Sequence, residues 1–268
     1  MKRIRRSSGA WLLPLAIAGL VLCGCKGSEP SESAGPSGKP KTTGGGTARP
    51  AVKGAPTTRP AATQAAVAVP PGMAPIKLSL PRPMFKGTPQ PVNEPNIEKP
   101  LGRPRPPFLA PIGTVNLALG KPVKSSDNEP IIGEMEMITD GDKEGGDGSF
   151  VELAFGKQWV QVDLKQKAKI YAIVVWHYHA QARAYRDVIV QIADDPDFIT
   201  SRTVFNNDHD NSAGMGIGSH KGYVETSEGK LIDSKGVEGR YVRLYSQDST
   251  AGEGNHYIEV AVYGKPAK

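Results

Sequence analysis

Two of the chain's five histidines form a His-x-His pair, His177 and His179, in the stretch VVWHYHAQARAYRD. Arg183 and Arg186 follow shortly after the pair. These residue types serve three kinds of chemistry: metal binding, acid–base catalysis, or hydrogen bonding to a polar ligand at the rim of a pocket. If the preceding strand continues through the pair, both imidazoles lie on one face, because side chains alternate with a period of two.

A transition-metal site would need three or four ligands in a defined geometry. Further residues that could complete such a site are His209, His256, Asp208 and Asp210. The sequence contains no HExxH motif and no cysteine-based zinc motif, and no Ser-His-Asp order is evident. The pattern predicts no catalytic residue, while a metal-binding accessory protein with a histidine-rich loop stays an alternative.

A second group with chemical potential is the glycine-rich acidic stretch MITDGDKEGGDGSF. Asp140 and Asp142 flank Gly141, and glycine allows the backbone to curl so that carbonyl groups also point inward. Calcium takes six to eight oxygen ligands from carboxylates and carbonyls of this kind. The full EF-hand spacing is absent, so the residues by themselves are consistent with a calcium loop or with a plain acidic turn.

The elements that must position these groups read as short strands. WVQVDL places Val160, Val162 and Leu164 on one face, and KIYAIVVW is a nearly continuous apolar run typical of a central strand. DVIVQIADD, RYVRLYS and YIEVAVYG show further alternation, and no amphipathic helix is evident. Residues 111–268 are therefore predicted to form an all-β sandwich or jelly roll.

Six motifs in this region stand in the order found in one family. They are NLALGKPVKSS, ITDGD, WVQVDL, YRDVIVQIADDPDF, RYVRLYS and YIEVAVYG. Together they resemble discoidin-like domains, also called coagulation factor 5/8 type C domains, which have the galactose-binding-like jelly-roll fold. The resemblance covers Asn116–Gly264. It implies a module that binds sugars, glycans, lipid head groups or proteins and that is not an enzyme.

The resemblance also changes how the acidic loop is interpreted. Bacterial sugar-binding members often hold a structural calcium between an Asp-Gly-Asp or Asp-Gly-Asn loop and a glutamate on the last strand. The matching positions here are Asp140, Asp142 and Glu259, with Ser149 as a looser match. Such an ion would hold the two ends of the domain together and would take no part in chemistry.

Ligand-binding sites on a jelly roll lie in loops that converge at one end. Sugar hydroxyl groups need polar partners together with a flat apolar surface, so the loop histidines, arginine and neighbouring polar residues are the candidates. These predicted ligand-binding residues are His177, His179, Arg183, Tyr185, His209, Asn255 and His256. A ligand rim is therefore favoured over a metal or catalytic centre for the histidine pair.

The start of the chain predicts export. Residues 1–24 combine a basic segment with a short apolar run, as in a signal peptide, and that run is too short to span a bilayer comfortably. The tetrapeptide LCGC resembles a bacterial lipobox with Cys25 as the lipidated cysteine, because small Gly24 precedes it. No cysteine follows Cys25, so the predicted domain has no disulfide. Lys26 favours sorting to the outer membrane or cell surface.

Residues 25–110 are predicted to be a disordered linker. They are rich in Pro, Gly, Ser, Thr and Ala and contain few large apolar residues. The run MAPIKLSLPRPMF is a candidate for docking on a partner.

The net charge is +12 over residues 1–110 and −6 over residues 111–268. Because the basic charge is confined to the front part, the high overall pI does not indicate nucleic-acid binding.

These features together predict a lipid-anchored binding module of the cell envelope with a structural calcium ion. Its expected partners are carbohydrate or another envelope polymer, and the membrane through the lipid. The alternative is a module that recruits an envelope protein.

Overall fold

A computed structural model describes residues 69–84, 92 and 94–267. The predicted signal peptide, Cys25 and the predicted linker up to residue 68 lie outside the described residues. The described residues form one short 3-10 helix, Met135–Thr139, and fourteen strands. In chain order the strands are β1 Met73–Pro75, β2 Leu109–Pro111, β3 Val115–Asn116, β4 Val123–Ser125, β5 Val151–Leu153, β6 Gln158–Trp176, β7 Ala184–Arg186, β8 Ile189–Ala193, β9 Ser201–Asn206, β10 Tyr223–Val224, β11 Lys230–Ser246, β12 Asp248–Ser249, β13 Asn255–Tyr257 and β14 Glu259–Pro266.

Two long antiparallel strands, β6 and β11, organise the domain. The first half of β6 pairs with β4 and with the end of β11, and its second half pairs with β14 and with the start of β11. Both strands bend between the halves, where Lys165, Lys235 and Gly236 have positive φ. The register between the strands shifts at the same places. Each long strand therefore contributes to both parts of the sandwich.

The remaining strands extend this framework. The main sheet runs in the order β3-β14-β6-β11-β8-β9, with β4 added beside β6. Three small antiparallel sheets complete the set: β10-β7-β12, β13-β5 and β1-β2. The prediction of an all-β jelly-roll sandwich is confirmed. In the part of the chain that the structure describes, no helix is long and apolar enough to cross a membrane.

The core follows the alternation of the sequence. Val160, Val162 and Leu164 are buried in the main cluster with Val260 and Val262. Alternation along a strand sends neighbouring side chains to opposite faces, and burial of these apolar groups stabilises the fold. The predicted central strand is confirmed, since the run ending at Trp176 is paired on both sides.

Part of the predicted linker is ordered, which corrects the expectation of disorder up to residue 110. Strands β1 and β2 pair with each other. Ile76, Leu78 and Phe108 pack against a second buried cluster that contains Trp176 and Tyr263. These few apolar residues order the segment because the outer face of the domain offers them an apolar surface. The domain boundary at residue 111 stays a prediction, and residues 69–84 and 94–110 together are called the strap below.

Candidate functional site

His177 follows the last residue of β6 and is fully buried. Its ring stacks on Tyr185 at a centroid distance of 4.3 Å. Its Nδ1 lies 3.1 Å from the Tyr223 hydroxyl and 3.4 Å from a carboxylate oxygen of Glu225. The other ring nitrogen, Nε2, is buried and meets no hydrogen-bond partner among the described residues.

Arg183 immediately precedes β7 and is only 6% exposed. Its guanidinium lies 4.6 Å from the centre of the Tyr178 ring, and Nη2 donates to the Gln181 side-chain oxygen at 3.3 Å. Its Nε is buried, and the described residues provide no acceptor for it. Burying a charged donor without an acceptor is costly, so this position favours a polar ligand or ordered water.

His256 lies on β13 directly opposite Glu152 on β5, and its Nε2 is 3.6 Å from Glu152 Oε1. Burial, with a smaller contribution in the same direction from the charge of Arg183, lowers the pKa of His256 to about 4. The imidazole is therefore neutral at physiological pH. Its Nδ1 is buried without a partner in the described part of the chain.

Tyr185, on β7, completes the group. Burial raises the pKa of its hydroxyl well above the usual range, so the hydroxyl stays protonated and can donate a hydrogen bond. This buried oxygen has no described partner in full hydrogen-bond geometry, and the Arg183 side chain and the Tyr178 backbone lie beside it. Tyr178 connects Arg183 with His256, because its ring lies 4.6 Å from the Arg183 guanidinium and 5.7 Å from the His256 ring.

The four residues together form the polar cluster. Its unpaired buried atoms are His177 Nε2, Arg183 Nε, Tyr185 Oη and His256 Nδ1. Buried polar groups in folded proteins nearly always have a partner, so several unpaired atoms in one place indicate a position for a polar ligand or water. Imidazole, guanidinium and phenol groups are suited to the donor and acceptor pattern of hydroxyl groups.

The structure does not bring the other three predicted ligand residues into the polar cluster. His179 bonds through Nε2 to the Lys143 carbonyl at 2.8 Å, which ties it to the acidic loop. Asn255 donates to the carbonyls of Ala154 and Gly156 at 2.8 Å each. His209 is exposed in the loop after β9. Strand β6 ends at Trp176, so the alternation that would have aligned His177 with His179 does not apply.

Several neighbours of the polar cluster were not predicted from the sequence. Glu225 lies opposite Arg183, because its backbone N–H donates to the Arg183 carbonyl at 3.0 Å. Its carboxylate accepts the backbone N–H of His177 at 3.2 Å. Tyr223 precedes it on β10, which pairs with β7. This strand is only two residues long, so no periodicity could identify it.

The acidic loop and the last strand do meet. Glu259, at the start of β14, is fully buried, and its Oε2 accepts the Gly141 N–H at 3.1 Å. Burial raises the pKa of Glu259 to about 8, with smaller contributions in the same direction from Asp140 and Asp142. Its Oε1 is buried and lacks a partner within the described residues. A buried, unsatisfied carboxylate beside two further carboxylates fits a cation.

Other details limit the shape of such a cation site. Gly141 has φ +93°, so the loop curls as predicted, and Lys143 Nζ donates to its carbonyl at 2.7 Å. Ser149 lies in a separate turn, where its N–H donates to the Gly146 carbonyl at 3.1 Å. Within the described residues, the carboxylate oxygens of Asp140, Asp142 and Glu259 are not all within 4.8 Å of one another. Backbone carbonyls or water would have to complete the coordination.

Comparison with solved structures gives matches of low sequence identity and low TM-score. A fucose binding module of Streptococcus pneumoniae, SpX-3, is 22% identical with a TM-score of 0.40, and the match covers 55% of this chain and 96% of that one. Chitosan-binding module 1 of a Paenibacillus sp. IK-5 chitosanase/glucanase is 21% identical with a TM-score of 0.38, covering 56% and 98%. A family 89 glycoside hydrolase of Clostridium perfringens is 17% identical with a TM-score of 0.42, covering 57% and 15%. No curated protein matches the chain.

Comparison with protein families gives a match at residues 137–244. The matching family model is described as a NedA-like, galactose-binding domain of the F5/8 type C group. The matched segment includes the acidic loop, β6 to β10, most of β11, and three of the four residues of the polar cluster. The family model that matches residues 137–244 is therefore the one that the sequence motifs resemble.

Proposed function

We propose that the chain is a non-catalytic carbohydrate-binding protein and that the polar cluster is its sugar-binding site. The observation that carries this proposal is the set of four buried, unpaired polar atoms contributed by His177, Arg183, Tyr185 and His256. The match of residues 137–244 to a galactose-binding domain family supports it. Carbohydrate recognition by such a site uses few, well-placed polar groups together with apolar walls.

In this proposal each residue has a defined part. Arg183 donates to sugar hydroxyls through its guanidinium, and the unpaired nitrogens of His177 and His256 complete the set of donors and acceptors. Phe150 and Tyr178, whose rings meet edge to face at 5.0 Å, are partly exposed and form the apolar wall on the open side. The Glu225 carboxylate lies 3.4 Å from His177 Nδ1, so the polar cluster contains an acidic as well as a basic residue and we expect it to favour a neutral sugar over a strongly charged one.

The test is binding of neutral glycans to the full-length protein, first on a glycan array and then by calorimetry with the best ligand. Arg183→Ala should lower the affinity at least about tenfold, since a hydrogen bond to a charged group contributes roughly 1.5–3 kcal/mol. Arg202→Ala, an exposed arginine on β9, is the matched control and should bind like the wild type. If no glycan binds, the proposed function is wrong. If Arg183→Ala binds normally while folded, the polar cluster is not the site.

We also propose that calcium binds between the acidic loop and β14, with Asp140, Asp142 and Glu259 as protein ligands. The unpaired Glu259 Oε1 supports this assignment. For Ser149 as a further ligand, the only support is its match to the family pattern in the sequence. The ion would neutralise a buried carboxylate and hold the loop against the last strand. Calcium should raise the melting temperature of the wild type and leave that of Glu259→Gln unchanged. If a chelator has no effect on wild-type melting, there is no such site.

We infer from the lipobox that the protein is exported and anchored through lipidated Cys25, at the outer membrane or cell surface. Lipid attachment would place the sugar-binding domain beside envelope polymers, and many copies on one membrane would add avidity to weak single-site binding. Recruitment of an envelope protein by the same domain is the alternative. That alternative would be favoured if the protein bound envelope proteins in an assay without glycans and if no added sugar competed with this binding.

A further inference from the structure

The strap adds a short run of backbone pairing to the small β10-β7-β12 sheet. Gly222, the residue before β10, donates its N–H to the Asn96 carbonyl at 3.0 Å, and its carbonyl accepts the Glu98 N–H at 2.8 Å. Ile97, between these two strap residues, forms a parallel bridge with Gly222. On its other side β10 pairs with β7, the strand that carries Tyr185. The strap therefore lies beside the strands that support the polar cluster.

Glu98 holds the side chain of Lys230, the first residue of β11. Lys230 Nζ donates to both carboxylate oxygens of Glu98, at 2.8 and 2.7 Å. The same ammonium group lies 5.0 Å from the centre of the Tyr223 ring and 5.5 Å from the centre of the Phe205 ring. Ring faces attract a cation in this position. Because Glu98 is the only ion-pair partner of Lys230 among the described residues, the strap determines where this ammonium lies.

Tyr223 connects Lys230 with the polar cluster. Its side chain is buried, and its hydroxyl lies 3.1 Å from His177 Nδ1. Burial raises the pKa of this hydroxyl well above its usual value, so the hydroxyl stays protonated. The Tyr223 ring also stacks with that of Tyr185, at a centroid distance of 6.2 Å and an angle of 28°. The contact with Nδ1 orients the His177 ring and so sets the direction of its unpaired Nε2.

The strap contacts at this sheet are exposed ion pairs, which contribute little to the stability of a fold. The Glu98 side chain is 47% exposed. A second pair joins Glu94 of the strap to Arg186 on β7 at 3.5 Å, and the Glu94 side chain is 34% exposed. No strap residue belongs to the main sheet of the described structure. Loss of the Glu98 pair should therefore leave the sandwich folded and change mainly the position of Lys230 and Tyr223.

We propose that the strap is part of the sugar-binding site and that Glu98 is a positioning residue for it. The docked strap holds Lys230 over Tyr223, and Tyr223 holds the His177 imidazole in the orientation that presents Nε2 to the sugar. This inference rests on the proposed function of the polar cluster and makes its affinity depend on strap docking. Since coupling between two equilibria is reciprocal, bound sugar must also hold the strap more tightly.

The first experiment is calorimetric titration of the full-length protein with galactose and, in parallel, with the neutral glycan that binds best on the array. Glu98→Gln keeps the size of the side chain and removes its charge. It should lower the affinity at least about fivefold, the lower end of typical coupling between sites. Glu238→Gln is the matched control, because Glu238 is also 47% exposed and lies 4.0 Å from a lysine, Lys167, but at the bend of β11. It should bind like the wild type.

A double-mutant cycle tests whether Glu98 acts through Tyr223. Tyr223→Phe keeps the buried ring and removes the hydroxyl that contacts His177, so it should lower the affinity by itself. In that background Glu98→Gln should cause little further loss, since the connection is already broken. If the two losses multiply in full, Glu98 does not act through Tyr223 and the proposed positioning role is wrong.

Reciprocity supplies a measurement that a purely structural role for Glu98 would not affect. A saturating concentration of the same glycan should slow proteolytic cleavage within residues 94–108 of the wild type, and should slow it less in Glu98→Gln. The inference is overturned if the glycan leaves wild-type cleavage unchanged, or if Glu98→Gln binds with wild-type affinity while Arg183→Ala loses affinity. If the wild type binds no glycan, the proposed function fails and this inference fails with it.

Discussion

At the scale of single residues, burial decides the protonation state of the side chains in the polar cluster. His256 has a side chain that is 14% exposed, and its pKa is lowered to about 4 from an ordinary value of 6.5. Tyr185 stays protonated for the same reason. The polar cluster therefore offers neutral imidazole and phenol groups next to one guanidinium over most of the physiological pH range, which suits an uncharged polyol.

The shifted pKa of His256 predicts a specific dependence of stability on pH. Between pH 6.5 and 4 the unfolded chain protonates this histidine while the folded chain does not, so the free energy of unfolding falls as the pH falls through this window. The loss should be on the order of 1–3 kcal/mol. His256→Gln cannot titrate, so urea denaturation from pH 7 to pH 4 should show a flatter decline. His209→Gln, an exposed histidine, should keep the wild-type slope, and equal slopes for both variants would contradict the prediction.

At the scale of elements, the bends in β6 and β11 let one hairpin serve both halves of the sandwich. At the bend of β11, Gly239 lies so close to β8 that an added Cβ would meet the Ile192 side chain and lie 3.0 Å from the Ala193 carbonyl oxygen. The next residue, Arg240, donates two hydrogen bonds to Asp163 on β6, at 2.8 and 3.0 Å. A tight backbone approach and an ion pair therefore hold this bend.

Gly239→Ala should destabilise the domain by about 1–3 kcal/mol, because the extra methyl overpacks a site where backbone blocks relaxation. Thermal denaturation followed by circular dichroism measures the change. Gly146→Ala is the matched control, since no heavy atom lies within 4 Å of a Cβ added there. If both variants melt at the wild-type temperature, β11 and β8 are not packed as closely as described.

At the scale of the whole molecule, the strap lies along the domain and does not hang free. Arg105 is its main polar attachment: Nη1 donates to the Gly229 carbonyl at 2.7 Å and Nη2 to the Glu228 carbonyl at 2.8 Å. The Arg105 N–H also donates to the Glu228 carboxylate at 3.1 Å. Further along the strap, Glu98 pairs with Lys230 at 2.7 Å.

Arg105→Ala should release the end of the strap, because two charge-assisted hydrogen bonds are lost together. We expect faster cleavage within residues 94–108 in limited proteolysis, and a stability loss of about 1–2 kcal/mol. Arg103→Ala, an exposed neighbour, should be cleaved at the wild-type rate. Equal cleavage rates for the two variants would show that Arg105 does not hold the strap.

The anchor belongs to the same scale, although it rests on sequence alone. Cys25→Ser should move the protein from the membrane fraction to the soluble fraction and remove the mass of the lipid. Cys23→Ser, two residues earlier, should stay membrane-bound, because Cys23 follows bulky Leu22 and does not fit the lipobox. Mass spectrometry and cell fractionation measure both outcomes. If Cys23→Ser is found in the soluble fraction, the assignment of lipidation to Cys25 is wrong.

The sequence by itself determined the long strands, the faces of β6 and β11 that enter the core, and the resemblance that the family match of residues 137–244 supports. Val160, Val162 and Leu164 could be assigned to the core because alternation is a local property, visible in a few consecutive residues. The family resemblance was visible for a related reason, since its motifs mark consecutive strands and turns.

Only the tertiary structure decided which polar residues lie together. His177 and His179 are two residues apart, but one faces Tyr185 and the other the acidic loop, because β6 ends just before them. Glu225 reaches the polar cluster only through the pairing of β10 with β7, and Asp187 meets Asp208 only through the loops beside those strands. Such contacts join residues that are distant in the chain. A strand of two residues has no periodic pattern, so the sequence alone does not predict which strand it pairs with.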